Sequence, residues 1–161
     1  NISTLIENYG LDTSFINNEL QNYNTERNFY TAYFLASRYL DFALYSKENI
    51  RSEIINLSNI YLEEAQELLK TETKESQVVL GRRCELLKLQ EFLILKRPKK
   101  VIRSLKRMDT EEFKESNKTM VAFLYYAAYG SVGDREEALA WKPQLSSVNL
   151  KKAHMLINLN N

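Results

Sequence analysis

The single cysteine of this chain, Cys84, directly follows Arg82 and Arg83. Flanking cations lower a thiol pKa and favour the nucleophilic thiolate. A cysteine set in a helical apolar pattern is more often a packing residue, and that reading is preferred. His154 has no second imidazole to share a metal or a proton, so no His-based metal or catalytic cluster is expected. The acid pairs Glu63/Glu64 and Glu111/Glu112 fall on helical stretches. Neighbours there diverge by about 100°, so they do not face each other for acid–base work. Gly130-Ser131-Val132-Gly133 lacks the spacing and the lysine of a phosphate loop. These residues point to no catalysis, no metal and no cofactor.

Two other constellations carry more. Arg82, Arg83, Lys88, Lys96, Arg97, Lys99, Lys100, Arg103, Lys106 and Arg107 stand against only Glu85 and Glu91 in the same stretch. Within a short helix after Pro98, Lys99, Arg103 and Lys106 share a face opposite Val101, Ile102 and Leu105. Such a ridge suits an acidic peptide or phosphates, although a solvated face balanced by acidic helices accounts for it too. The second constellation is aromatic. Phe29, Tyr30, Tyr33, Phe34, Tyr39, Phe42 and Tyr45 fall in one helix, and Phe123, Tyr125, Tyr126 and Tyr129 in another. Consecutive Tyr125 and Tyr126 diverge around a helix axis and are not expected to face inwards together. Tyrosine on a concave surface offers large contact area at low entropic cost. Tyr125, Tyr126 and Tyr129 are therefore expected to meet a ligand.

The elements that would hold these residues are helices. Four glycines and two prolines in 161 residues are too few for the tight hairpins of a sandwich or barrel. Apolar stripes at spacings of three and four mark long helices over Glu26–Tyr45, Lys47–Lys70 and Lys74–Lys96. A short helix follows Pro98, and Asp109-Thr110-Glu111-Glu112 reads as the start of the next. Gly130 to Gly133 closes that one. Asp134 caps a helix through Trp141, Pro143 stops it, and an amphipathic piece covers Val148–Leu159. At the other end, Ile2–Tyr9 reads as a short helix closed by Gly10, then a turn through Phe15, Ile16 and Leu20. Gln21–Thr25 reads as a loop. The fold class expected is all-α, in one domain over residues 1–161.

A repeat runs through this pattern. Glu63-Glu64-Ala65 is matched 36 residues later by Lys99-Lys100-Val101, and 37 after that by Glu136-Glu137-Ala138. Each pairs two charges with a small apolar residue where a neighbouring helix must pass closely. The segment from Leu124 through Tyr129, Gly133-Asp134 and Ala138 to Leu139 resembles the tetratricopeptide repeat. Tyr129 stands at the helix-A tyrosine, Gly133-Asp134 at the inter-helix turn and Ala138 at the helix-B alanine. In the preceding copy Phe92 takes the aromatic position, with Val101 and Leu105 in helix B. The resemblance covers roughly residues 77–142. It departs from the pattern where Tyr126 and Leu89 replace the small helix-A residue and where Pro143 shortens the last helix. It implies antiparallel hairpins stacked as a short α-solenoid, protein–protein binding and no cofactor.

Function is expected to be that of a non-catalytic scaffold or adaptor binding a peptide or partner helix during complex assembly. One alternative is the ligand-binding part of a peptide-sensing transcriptional regulator. Another is nucleic-acid contact through the ridge 96–107. A net charge of +1 gives no global field favouring nucleic acid or membrane. An unpaired cysteine and the lack of a basic-then-apolar opening suit an intracellular setting, cytoplasmic or nuclear. No initiator methionine is present and the pattern opens mid-way, which fits a fragment of a longer protein.

Overall fold

The computed structural model describes residues 14–161. The helix expected over Ile2–Tyr9 with its Gly10 cap lies outside them. Helix accounts for 87% of the described residues and no strand occurs among them, so the fold class is all-α. The chain divides into two compact units, Asn1–Gln77 and Val78–Asn161.

In the first unit, α1 spans Ser14–Thr25, α2 Phe29–Tyr45 and α3 Glu48–Leu68, with a 3-10 turn over Leu69–Thr71. Asn28 caps α2: its side chain accepts from the Thr31 N–H while the Thr31 hydroxyl accepts from the Asn28 N–H, both at 3.0 Å. That reciprocal pair satisfies two donors the helix end would otherwise strand. The stripe Phe29, Tyr33, Ala36, Leu40 and Leu44 is buried, as its spacing requires. Ala32, Ala36 and Ala43 let α3 approach α2 closely, and the buried Ser58 hydroxyl donates to the Ala36 carbonyl at 2.7 Å.

The stretch Gln21–Thr25, expected as a loop, is the last turn of α1. Its polar composition hides one anchor. Tyr23 is buried, its ring meets Tyr61 edge-on at 5.1 Å, and its hydroxyl donates to the Glu64 carboxylate. Those tertiary contacts outweigh weak local propensity.

In the second unit, α4 (Lys74–Ile94, begun in the last residues of the first) is followed by α5 (Pro98–Arg107), α6 (Glu115–Val132), α7 (Arg135–Trp141) and α8 (Ser147–Asn160). The helix start expected at Asp109 is only a 3-10 turn over Thr110–Glu112, and α6 begins at Glu115. Phe113 intervenes: it is buried in extended backbone with the Arg82 guanidinium 4.6 Å over its ring. Val78, near the start of α4, is exposed.

Every residue from Val121 to Tyr129 is buried. α6 packs against α5, α7, α8 and the turn after α7, so it has neighbours on all sides. A helix apolar all round belongs in such an interior. Gly130 faces α8 so closely that a Cβ would lie 2.4 Å from Ile157 Cδ1. Gly133 ends α6 with φ +84°, the left-handed conformation that favours glycine.

Candidate functional site

The turn between α4 and α5 closes with the Arg97 N–H donating to the Phe92 carbonyl at 2.8 Å and the Lys96 N–H to Leu93 at 3.1 Å. Lys96 adopts φ 62° there. The Asn160 side chain, on α8, donates to the Leu93 carbonyl at 3.0 Å and ties the turn down. Pro98 then opens α5, where a missing amide hydrogen costs nothing. Val101 and Leu105 anchor α5 with no exposed surface, and Ile102 and Met108 are half-buried beside them. The opposite face is left to water and to cations.

Nine of the ten basic residues of this stretch fall into two groups, and the tenth, Lys96, has an interaction of its own. Arg82 covers Phe113, Arg83 donates to the Ser116 hydroxyl at 3.1 Å, and Lys88 pairs with Glu91 at 2.7 Å. Lys100 lies 4.1 Å over the Phe92 ring. These four hold the fold together. Arg97, Lys99, Arg103, Lys106 and Arg107 are exposed, and no carboxylate or ring among the described residues engages their side chains. Lys99, Arg103 and Lys106 follow one another at helical spacing along one face. Lys96, Arg97, Pro98, Lys99, Lys100 and Arg103 line a concavity of about 450 Å³ at the start of α5. The structure therefore keeps Lys99, Arg103 and Lys106 together, as their spacing implied.

It does not present the tyrosines that way. Tyr125, Tyr126 and Tyr129 are only 8%, 7% and 8% exposed. Tyr125 stacks on Trp141 at 4.5 Å and on Tyr129 at 5.7 Å. Burial raises its phenol pKa, with Tyr129 adding to the effect. The expectation that consecutive tyrosines must diverge into solvent assumed one buried side, and α6 is buried at every residue from Val121 to Tyr129. Tyr126 alone reaches a concavity, of about 550 Å³ between α6, α7 and α8, where its hydroxyl lies 2.7 Å from His154 Nε2. His154 is exposed at its rim.

Cys84 is fully buried, and desolvation pushes its thiol up to about 12 against the lowering influence of Arg83. It is a packing residue. Glu64 is engaged by Tyr23, while Glu63 beside it is exposed. Among the described residues no cluster of three metal-ligating side chains occurs, and no helix is long and apolar enough to cross a membrane.

The near-zero total charge conceals a separation that summing over the whole chain misses. Residues 1–77 carry 6 Lys and Arg against 12 Asp and Glu, a net −6. Residues 78–161 carry 16 against 9, a net +7. The second unit thus has a net positive field, and five of its exposed cations without a carboxylate partner lie between Arg97 and Arg107. No protein-family model, curated protein or solved structure matches the chain.

Proposed function

We propose that this chain is a non-catalytic binding module whose second unit docks an acidic segment of a partner protein along α5. The observation that carries the proposal is the set of five exposed, unpaired cations, four on one short helix and Arg97 at its N-cap. Surface cations with nearby acids spend their field locally, whereas these keep theirs for a ligand. A desolvated thiol at Cys84 and acids that diverge along their helices support the non-catalytic part. We also propose a tetratricopeptide-like arrangement of hairpins. In its favour, the three small apolar positions spaced 36 and 37 residues apart, Ala65, Val101 and Ala138, are all buried. The docking face moves accordingly, from the helix-A tyrosines to the outer face of α5, a helix-B position in that scheme.

A nucleic acid is the competing ligand for the same ridge. Fluorescence anisotropy with a labelled glutamate-rich peptide and with a labelled oligothymidylate separates the two. The peptide is expected to bind at about 50 mM salt and to lose at least about tenfold in affinity by about 250 mM, as charge-driven contacts do. Arg103→Glu/Lys106→Glu should abolish it. Tighter binding of the oligonucleotide, with a salt slope of several counterions, transfers the site to phosphates. Peptide binding that ignores the charge reversal overturns the proposal.

A further inference from the structure

The exposed face of α3 mirrors that of α5 in charge. Asn49, Glu53, Asn56, Ile60, Glu63 and Glu67 recur at spacings of three and four, and all are exposed. They fall within about 80° of arc at about 100° per residue. No exposed cation lies on α3: its one arginine, Arg51, is half-buried and donates to the Ala43 and Ser46 carbonyls at 3.0 and 2.7 Å. Glu53 and Glu63 have no cationic partner among the described residues, and Glu67 pairs only with Lys70 in the turn that follows. Ile60, 57% exposed, sits in the middle of the acidic stripe, and Leu95, 44% exposed, lies immediately before the cations of α5. The acidic row thus contains one accessible aliphatic residue, and another lies in the turn just before the basic row. The rows are of similar reach: Glu53 to Glu67 spans about 21 Å and Arg97 to Arg107 about 15 Å at the helical rise.

We infer that the acidic partner of α5 is a second copy of this chain, which offers the outer face of its α3. The inference rests on the reading of α5 as an anion-docking face and names the occupant. Two features of the molecule favour a copy of itself. Its acidic and basic surfaces belong to different units, net −6 and +7, so a second copy offers each unit a face of the opposite charge. The whole chain carries only +1, so two copies approach without net repulsion. The contact joins unlike faces, so it either closes by being made twice in a pair or propagates from copy to copy.

Sedimentation velocity on three proteins tests this: the wild type, a basic-face variant (Lys99→Glu/Arg103→Glu/Lys106→Glu) and an acidic-face variant (Glu53→Lys/Glu63→Lys/Glu67→Lys). At about 50 mM salt the wild type should gain mass with concentration and return to monomer at about 300 mM, where the screening length falls well below 10 Å. Each variant alone should lose at least tenfold in self-affinity. Their assembly differs from the wild type's in one decisive way. An equimolar mixture brings together two reversed faces, Glu on α5 and Lys on α3, and should restore association between unlike copies only. That rescue also proves both variants folded. A wild type that stays monomeric at low salt up to several hundred micromolar overturns the inference, as does a mixture that stays monomeric. If the labelled acidic peptide still binds α5 in that monomer, the docking face stands and only its occupant was misassigned. If peptide binding fails as well, both readings fall.

Discussion

Replacing Tyr125 by alanine removes a ring that is 92% buried by its 8% residual exposure and stacked on both Trp141 and Tyr129. A buried aromatic withdraws about 150–250 Å² from water, worth about 4–6 kcal/mol at about 25 cal/mol per Å². Compactness of the unfolded chain trims that figure by about 10–40%. Truncation to alanine is therefore expected to cost about 3–4 kcal/mol, within the usual range for large aromatics. Trp141 is the only tryptophan, so its emission reports on the unit that holds the perturbed ring. In a urea titration with a slope of about 2 kcal/mol per molar, the midpoint should fall by about 1.5 M. Far-UV circular dichroism on the same samples guards against a change in emission from the lost stacking alone. Tyr125→Phe keeps the stack and should stay within about 1 kcal/mol of wild type. An alanine variant within about 0.5 kcal/mol of wild type would refute the placement of Tyr125 in the core and restore it as a surface contact.

Alkaline pH should unfold the first unit through its phenols. Tyr23 is pushed up to about 12 by burial and by its hydrogen bond to Glu64, and burial also raises Tyr39 and Tyr61. The folded state favours the protonated phenol, so this stabilisation is complete below the unfolded pKa near 10 and is lost as pH rises towards about 12. Absorbance at the tyrosinate band and helical ellipticity should therefore change together; full tyrosine ionisation with helix intact contradicts the burial. Gly130→Ala places a Cβ 2.4 and 2.8 Å from Ile157 Cδ1 and Cγ1. Overpacking of about 1–3 kcal/mol opposes about 1 kcal/mol gained in helix propensity, leaving a net loss by thermal melting. Gly130→Ala/Ile157→Ala should show a smaller loss than the sum of the two single changes, and strict additivity would deny the close approach.

The periodic helices were legible because each shows one neighbour an apolar stripe, as with Phe29, Tyr33, Ala36, Leu40 and Leu44. α6 defeated that logic because its burial is on every side. A signal was present nonetheless: no charged residue occurs from Thr119 to Gly133, which an exposed helix face would rarely tolerate. The end of α1 was hidden because one residue, Tyr23, supplies its anchorage through partners some forty positions away. The start of α6 was misplaced because an acidic cap signal also suits a 3-10 turn, and only the burial of Phe113 decides between them. The α5 ridge was readable from spacing alone, since a ten-residue helix with two fully buried anchors turns Lys99, Arg103 and Lys106 outwards. Which of the ten basic residues were already engaged was not readable, because Arg82, Arg83, Lys88 and Lys100 are distinguished only by what stands beside them in space.

The most direct test of the docking face is amide chemical-shift mapping on the labelled protein, held monomeric by the acidic-face substitutions on α3, as the glutamate-rich peptide is added. Shifts centred on residues 96–107, and absent in Arg103→Glu/Lys106→Glu, are the predicted result. Shifts centred instead on Tyr126, Leu139, His154 and Ile157, around the concavity between α6, α7 and α8, would contradict it.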